Sequence, residues 1–259
     1  MTMATLAGMR GRLARTRMRI ERGTLAAVPR TDRSRARILC YHAVGTPLWG
    51  VNDVSPHRFS SQLEVALAAG YRFVPAAELV ADPDGDDQRL AVTFDDGLRS
   101  VAVNAAPVLR ALGIPWTLFV VSDWADGRHE RNELLLGWRE LAALAEQGVS
   151  IGSHSCTHPD FGRVGTRATI DELGRSREMI EGHLGLTVRE FAIPFGQRRN
   201  WTELASRVAA DVGYLTVYAQ AEDSRPTGTV ARTFVSRFDG PFIFRAALRG
   251  AFDRWEEWF

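Results

Sequence analysis

Lysine is absent from these 259 residues, so all 32 basic side chains are arginine. No folding requirement lies behind that choice, and it reads as a compositional bias of the source. Cysteine is nearly absent: Cys40 and Cys156 make no disulfide framework. Long apolar runs are missing as well. No stretch approaches the roughly 20 apolar residues of a membrane span. A secretory signal carries an apolar core of about 7–15 residues, and here Arg10, Arg12, Arg15, Arg17 and Arg19 interrupt any such run. These absences predict a cytoplasmic location. Neither an internal repeat nor a dividing linker occurs, and 45% hydrophobic with 24% charged residues suits one large globular domain.

Net charge is +1 but unevenly spread. Residues 1–38 hold ten arginines against Glu21 and Asp32, a local +8 that leaves −7 for the remainder. Residues 1–36 read first as a flexible basic segment. Attraction to anionic lipid head groups or an acidic partner is the functional alternative, which adds a peripheral membrane contact to the expected location. Nucleic acid is not expected as a partner, because no basic–aromatic motif follows. Phe242, Phe244, Leu248, Phe252, Trp255 and Trp258 predict a C-terminal amphipathic helix within 241–259, packed on the domain or lying at an interface. Asp82, Asp84, Asp86 and Asp87 read as an exposed acidic turn.

Between the ends, strands and helices alternate. Apolar runs predict strands over 37–44, 90–94, 116–121, 149–153, 190–193, 214–218 and 229–235. Helices are predicted over 55–69, with Phe59, Leu63, Ala66 and Leu67 on one face, and over 100–112, 138–147 and 168–184; Gly70, Gly113 and Gly148 close the first three. Strands separated by helices of this length argue for a parallel sheet, open or closed into a barrel. Functional groups in such folds collect at the carboxyl ends of strands.

Two strings at strand ends carry the chemistry. Thr93-Phe94-Asp95-Asp96-Gly97 sets two carboxylates side by side, and His154-Ser155-Cys156-Thr157-His158 sets two imidazoles four residues apart. Alone, the first is an ordinary turn and the second a structural histidine pair. Together they supply two histidines and a carboxylate with a coordination position left open, plus a second carboxylate free to act as a base, a set suited to metal-assisted hydrolysis. Zinc is the default for these donors, with Co²⁺ or Ni²⁺ accepting the same set. His57, His129 and His183 lie at a helix start, in a polar loop and in a last helical turn, and are not offered as ligands.

These strings resemble the first two motifs of the polysaccharide deacetylases, the NodB-homology or family 4 carbohydrate esterases. Ala192-Ile193-Pro194-Phe195-Gly196 resembles their third, and the similarity spans about residues 36–240. The opening Cys40-Tyr41-His42-Ala43-Val44 is similar to the start of the poly-N-acetylglucosamine deacetylases, whose motif order is permuted. The resemblance implies an α/β fold, an irregular TIM-like (β/α) barrel with fewer than eight regular units, over a catalytic domain at 37–240. It implies a metal-dependent N-deacetylase acting on an amino sugar in a polysaccharide or its lipid-linked precursor. By the same resemblance Asp96, His154 and His158 hold the metal, Asp95 is the base, and His42 is the proton donor. Pro194 and Phe195 lie by the oxyanion, and Trp124 or Trp201 offers a platform for the sugar.

Two departures from the family pattern stand out. An arginine that commonly steadies the base two positions before the third-motif proline is replaced by Ala192, leaving Arg189, Arg198 or Arg237 as substitutes. The usual late histidine is missing, since His183 is the last in the chain. These departures keep open two other readings: a catalytically silent carbohydrate-binding protein, and a membrane-associated polysaccharide-assembly factor.

Overall fold

The structure, a computed structural model, describes residues 3–28, 36–83 and 88–255. The strands among them are β1 (Arg37–Tyr41), β2 (Ala43–Val44), β3 (Asp53–Val54), β4 (Arg72–Phe73), β5 (Arg89–Phe94), β6 (Trp116–Val120), β7 (Ser150–Ser153), β8 (Glu190–Ala192), β9 (Thr216–Gln220) and β10 (Val230–Phe234). The helices are α1 (Met3–Ala27), α2 (Pro56–Ala68), α3 (Ala76–Ala81), α4 (Ala106–Ala111), α5 (Ser122–Ala125), α6 (Trp138–Glu146), α7 (Thr166–Leu184), α8 (Glu203–Val212) and α9 (Pro241–Leu248).

Seven parallel strands close into a barrel in the order β1-β10-β9-β8-β7-β6-β5. The closing pair, β5 on β1, runs in register from Arg37↔Leu90 to Tyr41↔Phe94. The short β4 pairs with the start of β5, while β2 and β3 form a separate parallel pair. The fold is therefore a (β/α) barrel with fewer than eight barrel strands. No helix among the described residues is long and apolar enough to cross a membrane.

Strand periodicity explains how the barrel fills. Residues of one parity, such as Leu39, Leu90, Val92, Leu118 and Phe191, join the large cluster beneath the helices. Those of the other parity, Ile38, Ala91, Phe119, Ala192 and Tyr218, form a second cluster with Ala76 and Leu79 of α3. Side chains alternate faces along a strand, so the second set lines the barrel interior. Cys40, Asp95 and Arg232 share that inward parity. Phe119 and Tyr218 fill so much of the interior that a Cβ at Gly152, opposite Phe119 in register, would lie 2.5 Å from the Phe119 ring.

Several predicted elements take a different form. The strand predicted over 37–44 breaks at His42, where β2 leaves the barrel to pair with β3. The helix predicted over 100–112 opens as a π-turn over Val101–Ala105. Pro107, which has no N–H to give to the preceding turn, follows after Ala106. Helix α2 starts as expected, with Ser55 Oγ accepting from the Arg58 N–H, but Leu67 is exposed and Gln62 is buried instead. Gln62 accepts from Tyr41 Oη and donates to the Asp239 carbonyl, which turns that face inward.

The basic segment predicted to be flexible is helical over Met3–Ala27, and Met18 and Arg22 are buried. The Arg22 guanidinium holds both Asp239 carboxylate oxygens at 2.5 and 2.6 Å and lies 4.0 Å from the centre of the Phe252 ring. Within the C-terminal segment, Phe244, Ala246, Ala247 and Leu248 of α9 are buried while Phe242 is exposed. Trp258 and the acidic positions Asp84, Asp86 and Asp87 lie outside the described residues.

Candidate metal and catalytic site

Three loops at the carboxyl ends of β5, β7 and β8 converge, and their backbones record the constraint. Among the described residues, five non-glycine residues have positive φ: Asp96 (72°), Ser155 (71°), His158 (63°), Phe195 (63°) and Ala221 (53°). Four of them belong to the three strings singled out in the sequence. Left-handed backbone at such residues costs on the order of 1–3 kcal/mol each and persists only where surrounding contacts enforce it.

Those contacts are visible around the histidine loop. Glu172 on α7 accepts from the N–H groups of Cys156 and Thr157, both at 2.9 Å, and from Thr157 Oγ1 at 2.6 Å. Ser155 Oγ accepts from the His158 N–H at 3.0 Å. The buried His154 hydrogen-bonds through Nδ1 to the Ala192 carbonyl at 2.8 Å. Since a carbonyl only accepts, Nδ1 carries the proton and Nε2 keeps a lone pair.

Both aspartates lie near that nitrogen, Asp95 Oδ2 at 3.9 Å and Asp96 somewhat closer. Oδ1 of Asp96 lies 3.7 Å from His154 Nε2 and 3.7 Å from His158 Nε2, and it is buried without a hydrogen-bond partner. Asp96, His154 and His158 thus offer three donor atoms within 4.8 Å of one another. An orphaned buried oxygen facing two imidazole nitrogens fits a divalent cation by donor chemistry. Burial lowers the His154 pKa against the pull of Asp95 and Asp96. Burial, then the neighbouring His154, lowers that of His158 to about 4. Both rings are therefore neutral near pH 7, the form that binds a cation.

Asp95 is handled differently. Its oxygens accept from Arg232 Nη1 and Nη2 at 2.6 and 2.7 Å, a two-pronged pair with both partners buried. The Cys40 thiol donates to Oδ2 at 3.4 Å. Burial would raise the Asp95 pKa, but the Arg232 charge, reinforced by His154, holds it well below the usual carboxylate range. Cys40, His42 and Asp95 form a second group of donor atoms within 4.8 Å, so His42, just past the end of β1, faces the same space. His42 Nδ1 is buried without a partner.

The remaining predicted positions sort by burial. Trp124 is half-buried and stacks on His158, with centroids 5.5 Å apart and planes at 25°. Phe195 is 51% exposed and meets His158 edge-on at 4.7 Å, while Pro194 before it is buried. Trp201 is no platform. It is 6% exposed, packed between Phe161 and Phe191, with its Nε1–H donated to Ser206. His129, read as a plain loop residue, lies half-buried against Trp124, 4.6 Å between centroids.

Two residues escaped sequence reasoning. The partner of Asp95 is none of Arg189, Arg198 or Arg237 but Arg232, whose only signal was a charge at an inward position of a buried strand. The other is Trp49, in the loop between β2 and β3, whose Nε1–H donates to Asp96 Oδ2 at 2.8 Å.

Comparisons with known proteins bear on the family and the fold. The polysaccharide deacetylase family profile matches residues 82–217. The provisionally named polysaccharide deacetylase YxkH of Bacillus subtilis (strain 168) is 23% identical over 183 residues, covering 68% of this chain and 61% of its own. The chain thus spans less than two thirds of that relative's length. Among solved structures, the Streptococcus pyogenes deacetylase PplD, in complex with acetate, superposes with a TM-score of 0.71 at 20% identity, covering 84% of this chain and 99% of its own. IcaB from Ammonifex degensii gives 0.70 at 25% identity, covering 85% and 98%.

Proposed function

This chain belongs to the polysaccharide deacetylase family, and from that premise we propose that it is a metal-dependent hydrolase removing N-acetyl groups from an amino sugar. The observation that carries the reading is the division of labour between adjacent aspartates. Asp95 is pinned by Arg232, while Asp96 turns an unpaired oxygen toward two neutral imidazoles.

In this reading Asp96, His154 and His158 hold a divalent cation, Zn²⁺ by donor type, with Co²⁺ and Ni²⁺ acceptable. When bound, such a cation polarises the acyl carbonyl and lowers the pKa of water from 15.7 toward roughly 7. Asp95 takes the proton from the attacking water. A carboxylate held at low proton affinity is a weak base, so it is useful only toward a water already made acidic, and it sits next to the residue that would hold the cation. Arg232 keeps Asp95 ionised and fixes its plane. The backbone N–H of Phe195, in a turn set by Pro194, donates to the developing oxyanion, and His42 protonates the departing amine. Trp124 and Phe195 flank His158 with ring surface suited to a sugar face.

The substrate we propose is an N-acetylated glycan, as a polymer or a lipid-linked precursor met at a membrane surface during exopolysaccharide biosynthesis. The likeness to IcaB at 25% identity and the Tyr41-His42 opening favour a poly-N-acetylglucosamine-like chain. The test is acetate release from N-acetylglucosamine oligomers, peptidoglycan fragments and lipid-linked sugars, with metal content measured in parallel. Asp95→Asn should abolish release with metal retained, and His42→Ala should cut it strongly at unchanged metal content. Glycan binding that is indifferent to chelator, with no acetate released, would instead identify a silent binding protein.

A further inference from the structure

The loop between β2 and β3 belongs to none of the three motifs, yet it reaches the candidate metal site. Trp49 gives its indole N–H to Asp96 Oδ2 at 2.8 Å, and only Oδ1 of that carboxylate is left facing His154 and His158. The loop is held from several sides. The Thr46 N–H donates to Asp53 Oδ1 at 2.6 Å, the Arg237 N–H to the Val51 carbonyl at 3.0 Å, and Arg237 Nη1 to the Gly50 carbonyl at 3.3 Å. Gly50 takes φ 69°, ψ −126°, a conformation closed to other residues, and so turns the chain directly after Trp49. The Trp49 ring meets Trp124 edge-on at 6.4 Å, and Trp124 in turn lies on His158.

We propose that Trp49 is a positioning residue of the metal site, committing Asp96 to bind a cation through Oδ1 alone. This rests on reading Asp96, His154 and His158 as metal ligands. A carboxylate with both oxygens free can close on a cation with both; a donor seated on one oxygen removes that option and fixes the plane of the other. Tryptophan suits the task because its indole N–H only donates. A histidine or carboxylate at the same place would compete for the metal. The Asp96 carboxylate is also buried, which strengthens that hydrogen bond.

The experiment compares the parent with Trp49→Phe, which keeps an aromatic ring and removes the donor, and with Leu48→Ala at the neighbouring residue, which is 68% exposed. Zn²⁺ affinity is measured by chelator competition, the visible spectrum is recorded with Co²⁺ in place of zinc, and folding of the chelated proteins is checked by thermal melts. Trp49→Phe should bind Zn²⁺ at least about tenfold more weakly, the lower end for loss of an outer hydrogen bond to a metal ligand. Its Co²⁺ bands should weaken as Asp96 adds its second oxygen and the coordination number rises. Leu48→Ala should match the parent in both. Parental affinity and an unchanged Co²⁺ spectrum in Trp49→Phe overturn the proposal, as does equal weakening in Leu48→Ala, which would make the loop rather than the indole responsible. If the parent takes up no zinc, or Asp96→Asn binds it undiminished, the metal reading falls too; Trp49→Phe parity with Asp96-dependent binding sinks the indole role alone.

Discussion

Arg232 and Asp95 form a pair in which both side chains are buried and neither has another ionic partner of comparable geometry among the described residues. Removing one member of such a pair leaves an uncompensated charge, at a cost of about 3–5 kcal/mol. Arg232→Met should therefore destabilise the fold by roughly that amount in urea denaturation and abolish acetate release. Arg232→Lys keeps the charge but cannot present two parallel N–H groups to one carboxylate. It should fold and still lose turnover by at least about tenfold, a fall in kcat with little change in KM; full turnover in that variant would show that charge alone suffices. At this scale the legible residues are those whose chemistry is adjacent in sequence. Asp95 and Asp96 sit side by side, and His154 and His158 are four apart, so short strings exposed them. Arg232 reaches Asp95 across 137 positions of chain, and only the inward parity of β10 hinted at it. Trp124 and Trp201 are equally aromatic in sequence, and only the packing of Phe161 and Phe191 around Trp201 separates them.

Among the elements, the barrel strands were readable because parallel strands buried on both faces are short continuous apolar runs. What could not be read was where those runs stop belonging to the barrel. The 37–44 run is apolar apart from Arg37 and His42, and beyond His42 the chain leaves the barrel as β2 to pair with β3. Helix α1 was missed for a related reason. Its arginines look like a solvated tail until Arg22 finds Asp239 and the Phe252 ring 217 and more residues away. Interior volume sets a further constraint that no periodicity displays. Gly152 faces Phe119 across β7 and β6, and an added methyl would collide with that ring and come within 3.1 Å of the Glu190 carbonyl. Overpacking of this kind costs about 1–3 kcal/mol. Gly152→Ala should lower stability by that much, read as a reduced urea midpoint at unchanged denaturant slope. A neutral outcome would mean that the Phe119 ring moves freely within the barrel.

Across the whole molecule, the two imidazoles tie stability to pH. In the unfolded chain each histidine titrates near 6.5. In the fold, burial first and then His154 hold His158 at about 4, and burial lowers His154 despite Asp95 and Asp96. Between about pH 6.5 and about pH 4 the unfolded chain therefore binds more protons at His158 than the folded one, and stability declines as pH falls, by up to roughly 1.4 kcal/mol per pH unit for that ring, with His154 adding to the decline below about pH 6.5. Asp95 acts in a lower window. Burial would raise its pKa, but Arg232 overrides this and holds it down, so its contribution is complete above the unfolded value near 3.9 and fades only as pH drops through that range and below. Thermal melts of chelator-treated protein from about pH 8 to about pH 4 should be level at first and then slope downward once pH passes below about 6.5. His158→Asn should shallow the slope, since one titrating ring is gone. With metal supplied the decline should steepen, because each proton must displace the cation from its ligand. A melting temperature unchanged between about pH 7 and about pH 5 would mean that the rings are not held neutral in the fold, and the donor set at Asp96 would lose its main physical support.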